Sequence, residues 1–135
     1  MDINSEILPI NTTPERFFDE YLKLKKPILE YILGEINKKT VILNPKLLQV
    51  FAMLLYYNHI YNDLPDNEKW KLIFENGTKK SIAEKLNINS RHLNTYLSIL
   101  RNIKLLDGKK INKPFIINPE DEFSLTYKFI INDAK

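Results

Sequence analysis

The apolar positions of this chain recur mostly at helical spacing, and they divide it into amphipathic helices followed by a segment that alternates. Thr13-Pro14-Glu15 has the order of an N-cap, a first-turn proline and an early carboxylate. It predicts a helix with Phe17, Phe18, Tyr21 and Leu22 on its apolar side. Lys26-Pro27 predicts a break or kink, because an interior proline removes a backbone hydrogen bond, and a second helix then carries Ile28, Leu29, Ile32, Leu33 and Ile36 to about Asn37. Thr40 to Leu43 reads as a short extended piece. Asn44-Pro45 repeats the cap-plus-proline signal and opens a helix that is apolar nearly all round from Leu47 to Tyr61, the pattern of a buried central helix. Asp63-Leu64-Pro65-Asp66 turns the chain into a short helix around Trp70, Leu72, Ile73 and Phe74, closed by Asn76-Gly77.

Two further helices follow. Lys79 to Leu86 sets Ile82, Ala83 and Leu86 on one side, with the small Ala83 where another helix can cross closely. Asn87-Ile88-Asn89 interrupts that pattern, and Asn89 is placed to cap a longer helix from Ser90 to Asn102. At 100° per residue, Leu93, Tyr96, Leu97 and Leu100 share one face of this helix, while Arg91, Asn94, Thr95, Ser98 and Asn102 gather opposite. The polar face consists of short hydrogen-bonding groups and one guanidinium, which suit base edges and phosphates better than a mixed Glu and Lys surface would. Beyond the Asp107-Gly108 turn, Lys109 to Asn118 and Phe123 to Ile131 read as two strands of a hairpin. Phe123, Leu125, Tyr127, Phe129 and Ile131 alternate with Ser124, Thr126 and Lys128, and Pro114 assigns the first strand to an edge.

The order Ile82-Ala83-Glu84-Lys85-Leu86-Asn87-Ile88-Asn89-Ser90-Arg91-His92-Leu93-Asn94-Thr95-Tyr96-Leu97, with Leu100 and Leu105-Leu106 after it, resembles the helix-turn-helix of bacterial and phage winged-helix DNA-binding proteins. Asn87 stands where that family commonly has a turn glycine, and Lys104 precedes the closing apolar pair. Phe115-Ile116-Ile117-Asn118-Pro119 is similar to the wings of phage and plasmid replication initiators. The resemblance implies a mainly α fold with a small β-hairpin wing, a winged helix-turn-helix carrying an N-terminal helical extension. The resemblance covers about Lys79 to Ile131 and fades upstream; the helices before it lead us to divide the chain into an arm and helical extension, 1–39, and a winged domain, 40–135. The extension either packs on the body or forms a homodimer surface.

Composition narrows the function. The chain has 135 residues, 44% of them hydrophobic, enough for one core. Residues 1 to 67 hold 7 basic and 9 acidic side chains, net −2, whereas 77 to 113 hold 9 and 2, net +7. The excess therefore sits on the helix-turn-helix and the residues just after it. With no cysteine, two histidines on separate helices and three glycines, the sequence offers no metal ligand set, no phosphate-binding loop and no Gly-flanked nucleophilic serine. We expect no enzyme and no cofactor. No basic stretch precedes an apolar run at the N-terminus and no apolar run has spanning length, so the expected location is the cytoplasm of a bacterium or a phage-infected host, away from membrane. The expected partner is double-stranded DNA, bound by Lys79, Lys80, Ser90, Arg91, Asn94, Thr95, Ser98, Lys109, Lys110 and Lys113, in a phage or mobile-element transcription regulator or replication initiator. Two alternatives are a virion or DNA-packaging component of small-terminase type and a protein-interaction module. The acidic tip Glu120-Asp121-Glu122 would repel phosphate, so it is expected either to point away from DNA or to contact a basic protein partner.

Overall fold

The structure is a computed structural model that describes residues 8–120, 123–125 and 128–132. Within them the chain forms five α-helices, α1 (Pro14–Asn37), α2 (Pro45–Ile60), α3 (Asp66–Ile73), α4 (Asn76–Leu86) and α5 (Ser90–Asn102), and a single 3-10 turn at Lys113–Phe115. Three helix starts are capped as the sequence predicts. Side-chain oxygens of Thr13, Asn44 and Asn89 accept the backbone N–H groups of Arg16, Leu47 and His92, serving first-turn amides that have no intrahelical partner. α2 packs against each of the other four helices. Its apolar side chains point in every direction, so Leu47, Leu48 and the whole run Val50 to Leu55 are buried.

α1 is one continuous helix of 24 residues and passes through Pro27, where the sequence predicts a break or kink; the break does not occur. Pro27 and Lys23 are both exposed, so the Lys23 carbonyl that loses its intrahelical donor lies at the solvent surface, where water can satisfy it. On the inner side Tyr21 and Leu22 precede the proline and Leu29 and Leu33 follow it, all buried. These side chains join the same core cluster as those of α2 to α5, so both halves of α1 are held on one core. Polar tethers reinforce the packing. Glu30 Oε2 accepts the Leu43 N–H at 2.7 Å, and Asn37 Nδ2 donates to the carbonyls of Leu33 and Ile103 at 2.8 and 2.9 Å, joining the end of α1 to the end of α5.

Asn76-Gly77 opens α4 instead of closing α3. Gly77 takes helical backbone, and the Thr78 hydroxyl donates to the Leu72 carbonyl at 2.9 Å, folding the start of α4 back over the end of α3. The new helix therefore begins three residues before the predicted Lys79.

Among the described residues the β-hairpin wing is not present, which overturns the winged-helix expectation. Among the described residues there is no strand, and the only β pairing is an isolated antiparallel bridge between Leu106 and Ile111. The turn between them closes through Asp107 N–H to the Lys110 carbonyl at 2.8 Å, with Gly108 at φ 61°. The chain then leaves the ladder. Pro114 has no N–H to donate, and Lys113–Phe115 coil into a 3-10 turn as Phe115 N–H reaches the Asn112 carbonyl at 2.9 Å. Phe115, Ile116 and Ile117 pack singly onto the core, and Asn58 Nδ2 reaches Asn118 Oδ1 at 3.3 Å. Phe123 sets its ring edge-on to Phe17 and Tyr21 of α1. Phe129 and Ile131, which alternation sets on one face of the predicted strand, are 89% and 91% exposed. Thr126, Tyr127, Asp121 and Glu122 lie outside the described residues, so the predicted acidic tip is described only at Glu120, which is exposed.

Candidate nucleic-acid interface

The surface singled out by the sequence is built on α4, α5 and the 107–110 turn. Asn87 ends α4 in the left-handed conformation, φ 54° and ψ 48°, with its N–H bonded to the carbonyls of Ala83 and Glu84. Asparagine tolerates this conformation better than most residues, so it replaces the expected glycine at modest cost. From α2, Lys46 Nζ reaches the Leu86 carbonyl at 3.0 Å and satisfies the C-terminal end of α4. These contacts fix how α5 leaves the turn.

Leu93, Leu97 and Leu100 of α5 are buried, while Ser90, Arg91, Asn94, Thr95, Ser98 and Asn102 are all exposed. The inward and outward faces are those the periodicity predicts. Thr95 is partly engaged, since its hydroxyl donates to the Arg91 carbonyl at 3.0 Å; its lone pairs stay available to a donor.

Lysines stand at both ends of this polar face. At the start of α5, Lys79 and Lys80 of α4 join Ser90, Leu93, Asn94 and Asn76 around a cleft of about 320 Å³. At the other end, Arg101 Nε donates to the Gly108 carbonyl at 2.8 Å and holds the 107–110 turn against the last turn of α5. That bond brings Lys109 and Lys110 to the same helix. Lys113 follows on the 3-10 turn and is exposed. Lys110 lies 3.9 Å from Asp107; Lys79, Lys80, Arg91, Lys109 and Lys113 have no ion-pair partner among the described residues. By contrast Lys85 is bound to Glu15 of α1.

Two contributors escape a sequence reading. Asn76 lines the cleft only because α4 starts early, and Arg101, in the last turn of a helix, reads as an ordinary surface cation until its bond to Gly108 is seen. No sequence signal marks either.

Other chemistry has little to build on. Among the described residues there is no group of three or more His, Cys, Asp or Glu positioned to hold a metal ion, and no helix is long and apolar enough to cross a membrane. A second, larger depression of about 380 Å³ lies between α1, Phe51 and residues 112–117, and its lining is apolar apart from Lys25, Lys104, Asn112 and the Tyr21 hydroxyl. It contains no acid or nucleophile pair. Comparison with known proteins found no matching family model, no matching curated protein and no matching solved structure.

Proposed function

We propose that this chain binds double-stranded DNA through α5 and acts as a transcription regulator or replication initiator of a phage or mobile element in a bacterial cytoplasm. The observation that carries the reading is the exposed face Arg91, Asn94, Thr95, Ser98, free of carboxylates and flanked at each end by lysines. From Arg91 to Arg101 the helix rises about 15 Å, comparable with the roughly 12 Å width of a major groove. The flanking lysines would then meet phosphates while the short polar groups meet base edges. This reading does not depend on a wing. The 107–110 turn supplies the second group of cations.

Binding carried by five or six phosphate contacts should weaken with salt along a log-log slope of roughly −4 to −6. Fluorescence anisotropy with duplex of random sequence measures that slope, and selection from random DNA then supplies the preferred site. Arg91→Ala and Asn94→Ala should each reduce discrimination for that site by about 1 to 3 kcal/mol, whereas Lys110→Ala should weaken all duplexes alike. No binding at about 50 mM salt, or a slope near zero, would reject the DNA reading in favour of a protein partner.

A further inference from the structure

The flank of α1 next to the 112–117 segment, where Lys25 and Ile32 also line the apolar depression, carries a seam that matches itself when turned end over end. Lys25, Ile28, Ile32 and Glu35 recur at intervals of three, four and three residues, the spacing of positions that stay on one line between two packed helices. Ile28 and Ile32 are 37% and 36% exposed, and Tyr31 and Ile36 beside them are 69% and 50% exposed. These side chains lie on a helix whose inner face is already committed to α2.

The charges of the seam define what fits it. Neither Lys25 nor Glu35 has an ion-pair partner among the described residues, although Arg16, Asp19, Glu20 and Lys23 on the same helix pair locally. Lys25 only rests over the Tyr21 ring, 5.6 Å from its centroid. An antiparallel copy of α1, related by a two-fold axis at the level of Glu30, brings residue numbers that sum to 60 to the same height. Ile28 then faces Ile32 of the copy, and Lys25 faces Glu35, each pair occurring twice. One register satisfies the apolar and the charged pairs together. A parallel copy would instead oppose Lys25 to Lys25 and Glu35 to Glu35.

We infer that α1 is a self-association surface, in which two copies of this chain pair through antiparallel α1 helices with Ile28 against Ile32 and Lys25 against Glu35. The seam is short and belongs to the weak class of interface, below about 1,200 Å². The reading is independent of DNA binding, because its readout is the mass of the protein alone.

Sedimentation equilibrium of the full chain, up to on the order of 500 μM for so small an interface, should detect a monomer–dimer equilibrium. Ile28→Asp should abolish it. Glu35→Lys and Lys25→Glu should each weaken it about tenfold, since each exchanges two attractions for two repulsions. The double variant K25E/E35K should return to within about threefold of the parent, because the swapped charges again face each other. All four side chains are at least partly exposed, and circular dichroism checks that each variant folds. A parent chain that stays monomeric throughout, a dimer indifferent to Ile28→Asp, or a double variant as weak as the singles would each overturn the proposed pairing.

Discussion

Among the described residues, three with side chains sit at positive φ where helices end: Lys38 at 55°, Asn87 at 54° and Lys104 at 74°. Each lets the chain turn away from an exhausted helix, a task that glycine performs with less strain. Of the three, only Asn87 is a residue type that marks such a position in sequence. Lys38 and Lys104 look like ordinary surface lysines. Lys104 is kept in place by neighbours, its carbonyl accepting Asn112 Nδ2 at 2.7 Å while the next two amides bond back to the Leu100 carbonyl. A left-handed L-residue costs about 1 to 2 kcal/mol, and glycine returns roughly 0.5 to 1 of that through its own unfolded-state entropy. Lys104→Gly should therefore stabilise the fold by about 0.5 to 1 kcal/mol, read from the urea midpoint at unchanged slope. Because Lys104 is outside the DNA-contact set proposed above, its DNA affinity should stay near that of the parent.

At the scale of elements, α1 illustrates a local signal overruled by packing. Pro27 carries every feature of a helix break, and yet Phe18, Tyr21, Leu22, Leu29 and Leu33 form one buried stripe across it. The proline lies on the solvent side, so what it costs is one hydrogen bond and some crowding, against apolar burial on both sides. Pro27→Ala should recover part of the roughly 3 kcal/mol that an interior proline costs, less the entropy it removes from the unfolded chain, a net gain of about 1 to 2 kcal/mol. Thermal melting and urea titration check this; an unchanged midpoint would mean that the helix has relaxed around the ring. The helices α2 and α5 are legible in the sequence for the complementary reason. Their caps and periodicities agree with their burial, so no competing term has to be resolved.

For the whole molecule, the decisive feature is a single core shared by all five helices. Removing residues 1–38 would take away five buried side chains of α1, each contributing about 1.5 to 3 kcal/mol, a sum comparable with the 5 to 15 kcal/mol that holds a domain folded. The truncated chain should lose cooperative melting and expose the apolar flank of α2, which calorimetry and dye binding detect; a soluble fragment with a normal transition would show that α1 is dispensable cover. What the sequence determined by itself is what neighbouring residues settle among themselves: helix starts at Thr13, Asn44 and Asn89, the all-apolar α2, the turn at Asn87, and the two faces of α5. Tertiary structure alone decided the course of the described residues after Gly108, the continuity of α1 through Pro27, and the attachment of the basic turn to α5 by Arg101. Strand alternation in 123–131 is a local pattern that needs a distant partner with free N–H and C=O groups. Pro114 and the 3-10 turn withdraw the preceding segment from that role, and among the described residues its apolar side chains pack singly against α1 and α2 or stay at the surface. A pairing between segments is a property of both of them, and no reading of one segment can supply the other.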